Sequence, residues 1–171
     1  MKALVVYESM FGNTEQVARA VATGLGRHLD VELVAVANAP DTVSDVDLVV
    51  VGGPTHAFSM TRQATRVDAV SQGASHGTSE TGLREWLATL PAGSRSLPVA
   101  TFDTRVDKAR HLPGSAAKAA AKVVRRRGYL LAARPESFYV ADVAGPLIEG
   151  ELDRAAAWGE TLTSGRVVGC A

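Results

Sequence analysis

Cysteine is nearly missing from this chain: Cys170 is the one thiol in 171 residues. An internal disulfide is thereby excluded, as is a Cys-x-x-Cys redox pair, and a cytoplasmic setting is the expectation. Net charge is missing as well. Lys+Arg and Asp+Glu stand at 18 each, so no global field draws the protein to nucleic acid or to an anionic membrane. No segment approaches the ~20 consecutive apolar residues of a membrane span. The apolar stretch 4–7 behind Met1-Lys2-Ala3 is far too short for the core of a signal peptide. There is no internal repeat and no linker long enough to divide the chain, so residues 1–171 are expected to form one domain. His28, His76 and His111 have no neighbours at metal-ligand spacing, and no metal site is expected.

What is present is a rhythm. The chain is 46% hydrophobic, and apolar runs of strand length alternate with longer stretches of helical period. That pattern predicts parallel β/α units whose strands are buried on both faces. Five strands are expected, over 3–7, 31–36, 48–51, 97–101 and 129–140, the last interrupted by Arg134-Pro135-Glu136 because proline cannot donate to a central ladder. Helices are expected over 14–29, weakly over 42–45, over 83–90, from Pro113-Gly114-Ser115 to Gly128, and over 149–164. The last of these would bury Leu152, Ala155, Ala156 and Leu162. The polar, glycine-rich stretch 71–82 has neither period and reads as a mobile loop.

The chemistry gathers after the first strand. Glu8-Ser9-Met10-Phe11-Gly12-Asn13-Thr14 leads into a helix whose first amides lack intrahelical partners, and those amides suit a phosphate monoester. The Ser9 and Thr14 hydroxyls would add hydrogen bonds, Gly12 would let the backbone approach the oxygens, and Asn13 tolerates an unusual backbone angle. An ordinary strand-to-helix turn with a good cap is the alternative reading of the same spacing.

The stretch 5–21 resembles the flavodoxin signature in order and spacing: two apolar residues, Tyr7, Ser9, Gly12, Thr14, then Ala18 and Val21. The β/α rhythm is similar to that family over essentially the whole chain. The resemblance implies a doubly wound α/β fold, a five-stranded parallel sheet of order 2-1-3-4-5 with helices on both faces, and FMN at the carboxyl ends of the strands. It further implies a phosphate loop of Ser9, Met10, Phe11, Gly12, Asn13 and Thr14. Two flavin loops would complete the site, one through Pro54, Thr55, His56, Ala57 and Phe58, the other through Phe102, Asp103 and Thr104. Amides of Thr55, His56, Phe102 and Asp103 would bond the pyrimidine edge, with Phe58 or His56 stacked on the ring.

The departures are specific. Phe11 stands where most flavodoxins carry a hydroxyl, as in the Ser-Met-aromatic-Gly loop of flavodoxin-like NAD(P)H:quinone oxidoreductases. Neither flavin loop holds a tryptophan or tyrosine, residues 54–60 hold no glycine, and the chain is neutral where flavodoxins are usually acidic. The leading expectation is an FMN electron-transfer protein with no catalytic side chains, serving a reductase and an acceptor enzyme. One alternative is an FMN-dependent NAD(P)H:quinone-type oxidoreductase with a small quinone-like acceptor, and another is an interaction module of the same fold without flavin. A phosphorylation receiver is excluded, since it needs an acidic pair after strand one and an aspartate after strand three, where this chain has Glu8-Ser9 and Gly52-Gly53. Arg62 and Arg66 read as a solvent-facing helix turn, Arg125-Arg126-Arg127 as a solvated helix cap, and Cys170 as an inert terminal thiol.

Overall fold

The computed structural model describes residues 1–93 and 96–164; Cys170 lies outside them. β1 (Lys2–Tyr7) is the sheet's second strand, paired in parallel with β2 (Asp30–Ala35) on one side and β3 (Leu48–His56) on the other. β3 pairs in parallel with β5 (Pro98–Val106). Two short segments, β6 (Leu130–Leu131) and β7 (Glu136–Val140), both run parallel to the far side of β5. They are one interrupted fifth strand, broken where Pro135 withholds its donor, so the expected order 2-1-3-4-5 is the observed one.

Alternation along the strands makes the two layers. Leu4, Val6, Val49, Val51 and Val99 face one way, under α3 (Leu83–Thr89) and α4 (Ala116–Arg126). Ala3, Val5, Leu48, Val50, Ala100 and Phe102 face the other, under α1 (Asn13–Leu25) and α5 (Glu151–Ser164). Parallel strands buried on both faces must be apolar at every position, which is why the runs were visible in the sequence. α1 and α5 touch backbone to backbone: a Cβ on Gly24 would lie 2.0 Å from the Ala156 carbonyl oxygen, and one on Gly159 would lie 2.4 Å from that of Val21. α4 starts where Ser115 Oγ accepts from the Lys118 N–H, at 3.3 Å.

Several boundaries differ from expectation. No helix forms over 42–45, and a 3-10 turn occupies Val36–Asn38 instead. Leu152 is exposed, while Ala155 and Leu162 are buried as expected. Arg127 is not a solvated cap; it donates to the carbonyls of Ala88 and Leu90 at the end of α3. An additional helix, α2 (Gln63–Ser71), follows a short antiparallel strand, β4 (Ser59–Met60), which folds back on β3.

The extra length of β3 and β5 matters most for the site. β3 continues through Gly52-Gly53-Pro54 to His56, then reverses at Ala57-Phe58. Both turn residues have positive φ, 46° and 62°, the geometry of a two-residue hairpin that matches strand twist. A Cβ on Gly52 would lie 2.0 Å from the Phe102 ring, so this glycine makes room for a core aromatic between neighbouring strands.

Candidate functional site

The carboxyl ends of β1, β3 and β5 surround a cavity of about 430 Å³, within the range of pockets that bury a small cofactor, roughly 300–1,000 Å³. Ser9, Met10, Phe11, Asn13 and Thr14 line one side, Pro54, Thr55, His56 and Ala57 another, and Thr104, Arg105 and Val106 a third. Thr61, Thr65, Ala69 and Gln72 from β4 and α2, with Val140 and Val143, complete the wall.

One end of the cavity is formed by the head of α1. Gly12 caps α1 with φ 89°, and its N–H donates to Ser9 Oγ at 3.1 Å. The Gln16 N–H is the first of the helix to reach back, to the Gly12 carbonyl at 3.1 Å. The amides of Asn13, Thr14 and Glu15 therefore lack partners among the described residues, and the positive end of the dipole faces the cavity. Thr14 Oγ1 lies 2.7 Å from Thr104 Oγ1, joining the head of α1 to β5.

Gly12 also has a protein side chain against it. A Cβ there would lie 3.0 Å from the His76 ring, so the face of Gly12 is covered by residue 76 of the stretch expected to be mobile. That stretch is tied down. The His76 N–H donates to the Met10 carbonyl at 3.2 Å, and His76 Nδ1 lies 3.2 Å from Glu15 Oε2. A Cβ on Gly77 would meet the Ser9 carbonyl at 2.6 Å. Arg19, bonded at 2.6 Å, and His76 together hold the Glu15 carboxyl below its usual range.

Arg66 anchors the other end of this strap. Expected on the surface, it is fully buried in α2. Its guanidinium donates to Thr61 Oγ1 at 3.1 Å and to the carbonyls of Ser79 and Glu80 at 3.2 and 3.3 Å, and pairs with Glu85 at 3.1 Å. Thr61 in turn donates to Glu8, which also accepts from the Leu83 N–H at 2.7 Å. Burial pushes the Glu8 carboxyl above its ordinary range, against the lowering effect of those hydrogen bonds and of the Arg66 charge. Glu8 directly follows β1, so one polar network ties β1, α2, the strap 71–82 and α3 together.

The remaining expected residues divide. His56 lines the cavity and Phe58 does not: Phe58 is 51% exposed at the hairpin tip, with its carbonyl against Gly114. The Thr55 hydroxyl is already engaged, accepting from the Ala116 N–H at 2.8 Å. Phe102 and Asp103 are not loop residues. They sit fully buried within β5 in register with Gly52 and Gly53, so their amides belong to the ladder rather than to a ligand edge. Phe102 packs edge-on against Phe138 and Trp158, with ring centroids 6.1 Å away in each case. Asp103 accepts from the Ala117 N–H at 2.8 Å, and burial pushes its carboxyl up. Arg105, two residues further on and the last residue of the expected second loop 102–105, lines the cavity, though no role was expected of its side chain.

An open parallel sheet with helices on both faces and a helix head at its switch point defines a doubly wound α/β protein. Comparison with known proteins narrows the class. The flavodoxin family model matches residues 5–72, the part of the chain that runs from β1 through α2. Flavodoxin 1 of Bacillus cereus matches with a TM-score of 0.69 at 14% identity, over 96% of this chain and 98% of that one. A flavodoxin from the domain Archaea matches with a TM-score of 0.63 at 19% identity, again over 96% and 98%. The flavodiiron protein of Giardia intestinalis covers 98% of this chain with 36% of its own, at a TM-score of 0.62 and 16% identity. No curated protein matches the chain in sequence. The resemblance to the flavodoxin family thus holds over residues 5–72, and the fold is flavodoxin-like.

Proposed function

We propose that the chain binds FMN in this cavity and passes electrons between redox partner proteins in the cytoplasm. One observation carries the reading: the head of α1, with the Asn13 and Thr14 amides that have no partner among the described residues and the Thr14 and Thr104 hydroxyls, stands at one end of a cavity whose other walls carry Met10, Phe11, Pro54, Val106, Val140 and Val143 among polar side chains. A phosphate monoester fits the first part and a flat heteroaromatic ring the second. Phe11 and His56 are the flat side chains on the wall, and they replace Phe58 as candidates to lie against the ring. Bound FMN would supply reversible electron transfer; the protein's part is to hold the phosphate, orient the ring and limit its contact with water.

Fluorescence titration with FMN and with riboflavin tests this. FMN should be bound at least tenfold more tightly, about 1.4 kcal/mol, because riboflavin lacks the group that α1 receives. No quenching by either ligand would leave the fold without flavin and overturn the reading.

A second reading, an NAD(P)H:quinone-type oxidoreductase, is favoured by Phe11, which lines the cavity from within the phosphate loop. NADH oxidation by the purified protein with a quinone and no added reductase would establish it. Absence of turnover, with electrons still accepted from a reductase, supports the carrier.

A further inference from the structure

Arg105 is a buried cation with no ion-pair partner among the described residues. Its side chain is 4% exposed and lines the cavity next to Thr104. Nη2 donates to the carbonyls of Ala109 and of Leu112, the latter at 3.2 Å, so the backbone of 107–112 wraps around the guanidinium. Nε is buried and has no hydrogen-bond partner among the described residues. Among the described residues no carboxylate lies within ion-pair distance of it, whereas the other buried arginine, Arg66, has Glu85 at 3.1 Å. The neighbouring acids are otherwise engaged. Asp107 pairs with Arg110 at 2.5 Å, and Asp103, two residues away on β5, accepts from the Ala117 N–H at 2.8 Å; burial raises its carboxyl while the Arg105 charge acts to lower it.

A guanidinium withdrawn from water without a carboxylate is unfavourable unless a ligand completes it. Carbonyl acceptors satisfy its hydrogens in part and neutralise none of its charge. The ligand's phosphate has its own holder at the head of α1, which leaves the ring as the partner for Arg105.

Resting on the FMN reading above, we propose that Arg105 is the counter-charge for the flavin ring after reduction by two electrons. Addition of two electrons and one proton to the neutral oxidised ring leaves a single negative charge on it, and Arg105 attracts that charge. The neutral oxidised ring gains much less. The protein therefore binds reduced FMN more tightly than oxidised FMN and favours the two-electron couple, the opposite of what an acidic surround would do.

The test is an anaerobic titration of the FMN-loaded protein with dithionite against a reference dye, for wild type, Arg105→Gln and Arg105→Lys. Wild type should show a two-electron midpoint above that of free FMN. Arg105→Gln should shift the reduction equilibrium at least tenfold towards the oxidised form, about 30 mV for a two-electron couple. Arg105→Lys, which keeps the charge, should stay closer to wild type. The wild-type comparison with free FMN stands even where a variant fails to fold. A wild-type midpoint at or below that of free FMN, or equal midpoints for wild type and Arg105→Gln, would overturn the proposal. So would a loss of oxidised FMN affinity in Arg105→Gln with no change of potential and none of riboflavin affinity, which would make Arg105 a phosphate ligand. Failure of wild type to bind FMN at all is a separate result and removes the FMN reading itself.

Discussion

The hydroxyl oxygens of Thr14 and Thr104 lie 2.7 Å apart although 90 residues of chain separate them. One belongs to the first turn of α1 and the other to β5, and both are nearly fully buried. Their contact joins the head of α1 to the strand that carries Arg105. Thr14→Ala removes one side of it and a donor to the ligand. FMN affinity should fall about fivefold, the value of one hydrogen bond of about 1 kcal/mol, as read by fluorescence titration, with the native circular dichroism spectrum retained.

Gly12→Val should cost more than Thr14→Ala in FMN affinity and in stability. A φ of 89° is strained for any residue with a Cβ, by about 1–2 kcal/mol, and that Cβ would press on the His76 ring at 3.0 Å. The two causes separate in a double-mutant cycle with Gly12→Ala and His76→Ala. The His76 change should relieve the contact and leave the backbone strain, giving a coupling of about 0.5 kcal/mol or more in urea unfolding. Strict additivity would show that His76 does not press on this loop.

Arg66→Met should destabilise by about 3–5 kcal/mol, because it strips Glu85 and Thr61 of a buried cation and frees the carbonyls of Ser79 and Glu80. Arg62→Met, at an exposed position four residues earlier, should stay within about 0.5 kcal/mol. Denaturant unfolding gives both values. Limited proteolysis should cut Arg66→Met within residues 72–82 faster than wild type, since the strap loses one of its two anchors.

Glu8 sets a pH dependence of a definite sign. Burial raises its folded pKa above the ordinary 4.5, so between those two values the native state holds more protons than the unfolded chain, and stability falls as pH rises through that window. Asp103, also raised by burial, adds to the fall. Glu15, lowered chiefly by the hydrogen bond from Arg19, acts in the opposite sense at lower pH. Glu8→Gln should therefore gain on wild type as pH rises from about 4 to about 8, and denaturation midpoints across that range measure the difference. A constant difference between the two proteins would place the titration elsewhere.

Some of this protein is determined by sequence alone, because some of its physics is local. Strands 1–3, α1 and the turn that leads into it were legible since each rests on a short-range regularity: apolar runs for strands covered on both faces, a helical stripe through Val17, Val21 and Leu25, and small polar residues where helix amides need partners. The interruption at Pro135 was legible for the same reason.

Only the tertiary structure decided the rest. α2 has no apolar stripe, and the one residue it fully buries is a charge, Arg66, whose partners lie on β4, the strap and α3. Gly52-Gly53-Pro54 read as loop because glycine normally weakens a strand, and only the Phe102 ring lying against Gly52 shows why the strand continues. The covering of Gly12 by His76 and the unpaired state of Arg105 are likewise properties of chain segments brought together from far apart. Charge and burial at such points depend on what folds over a residue, and no pattern in its own neighbourhood encodes that.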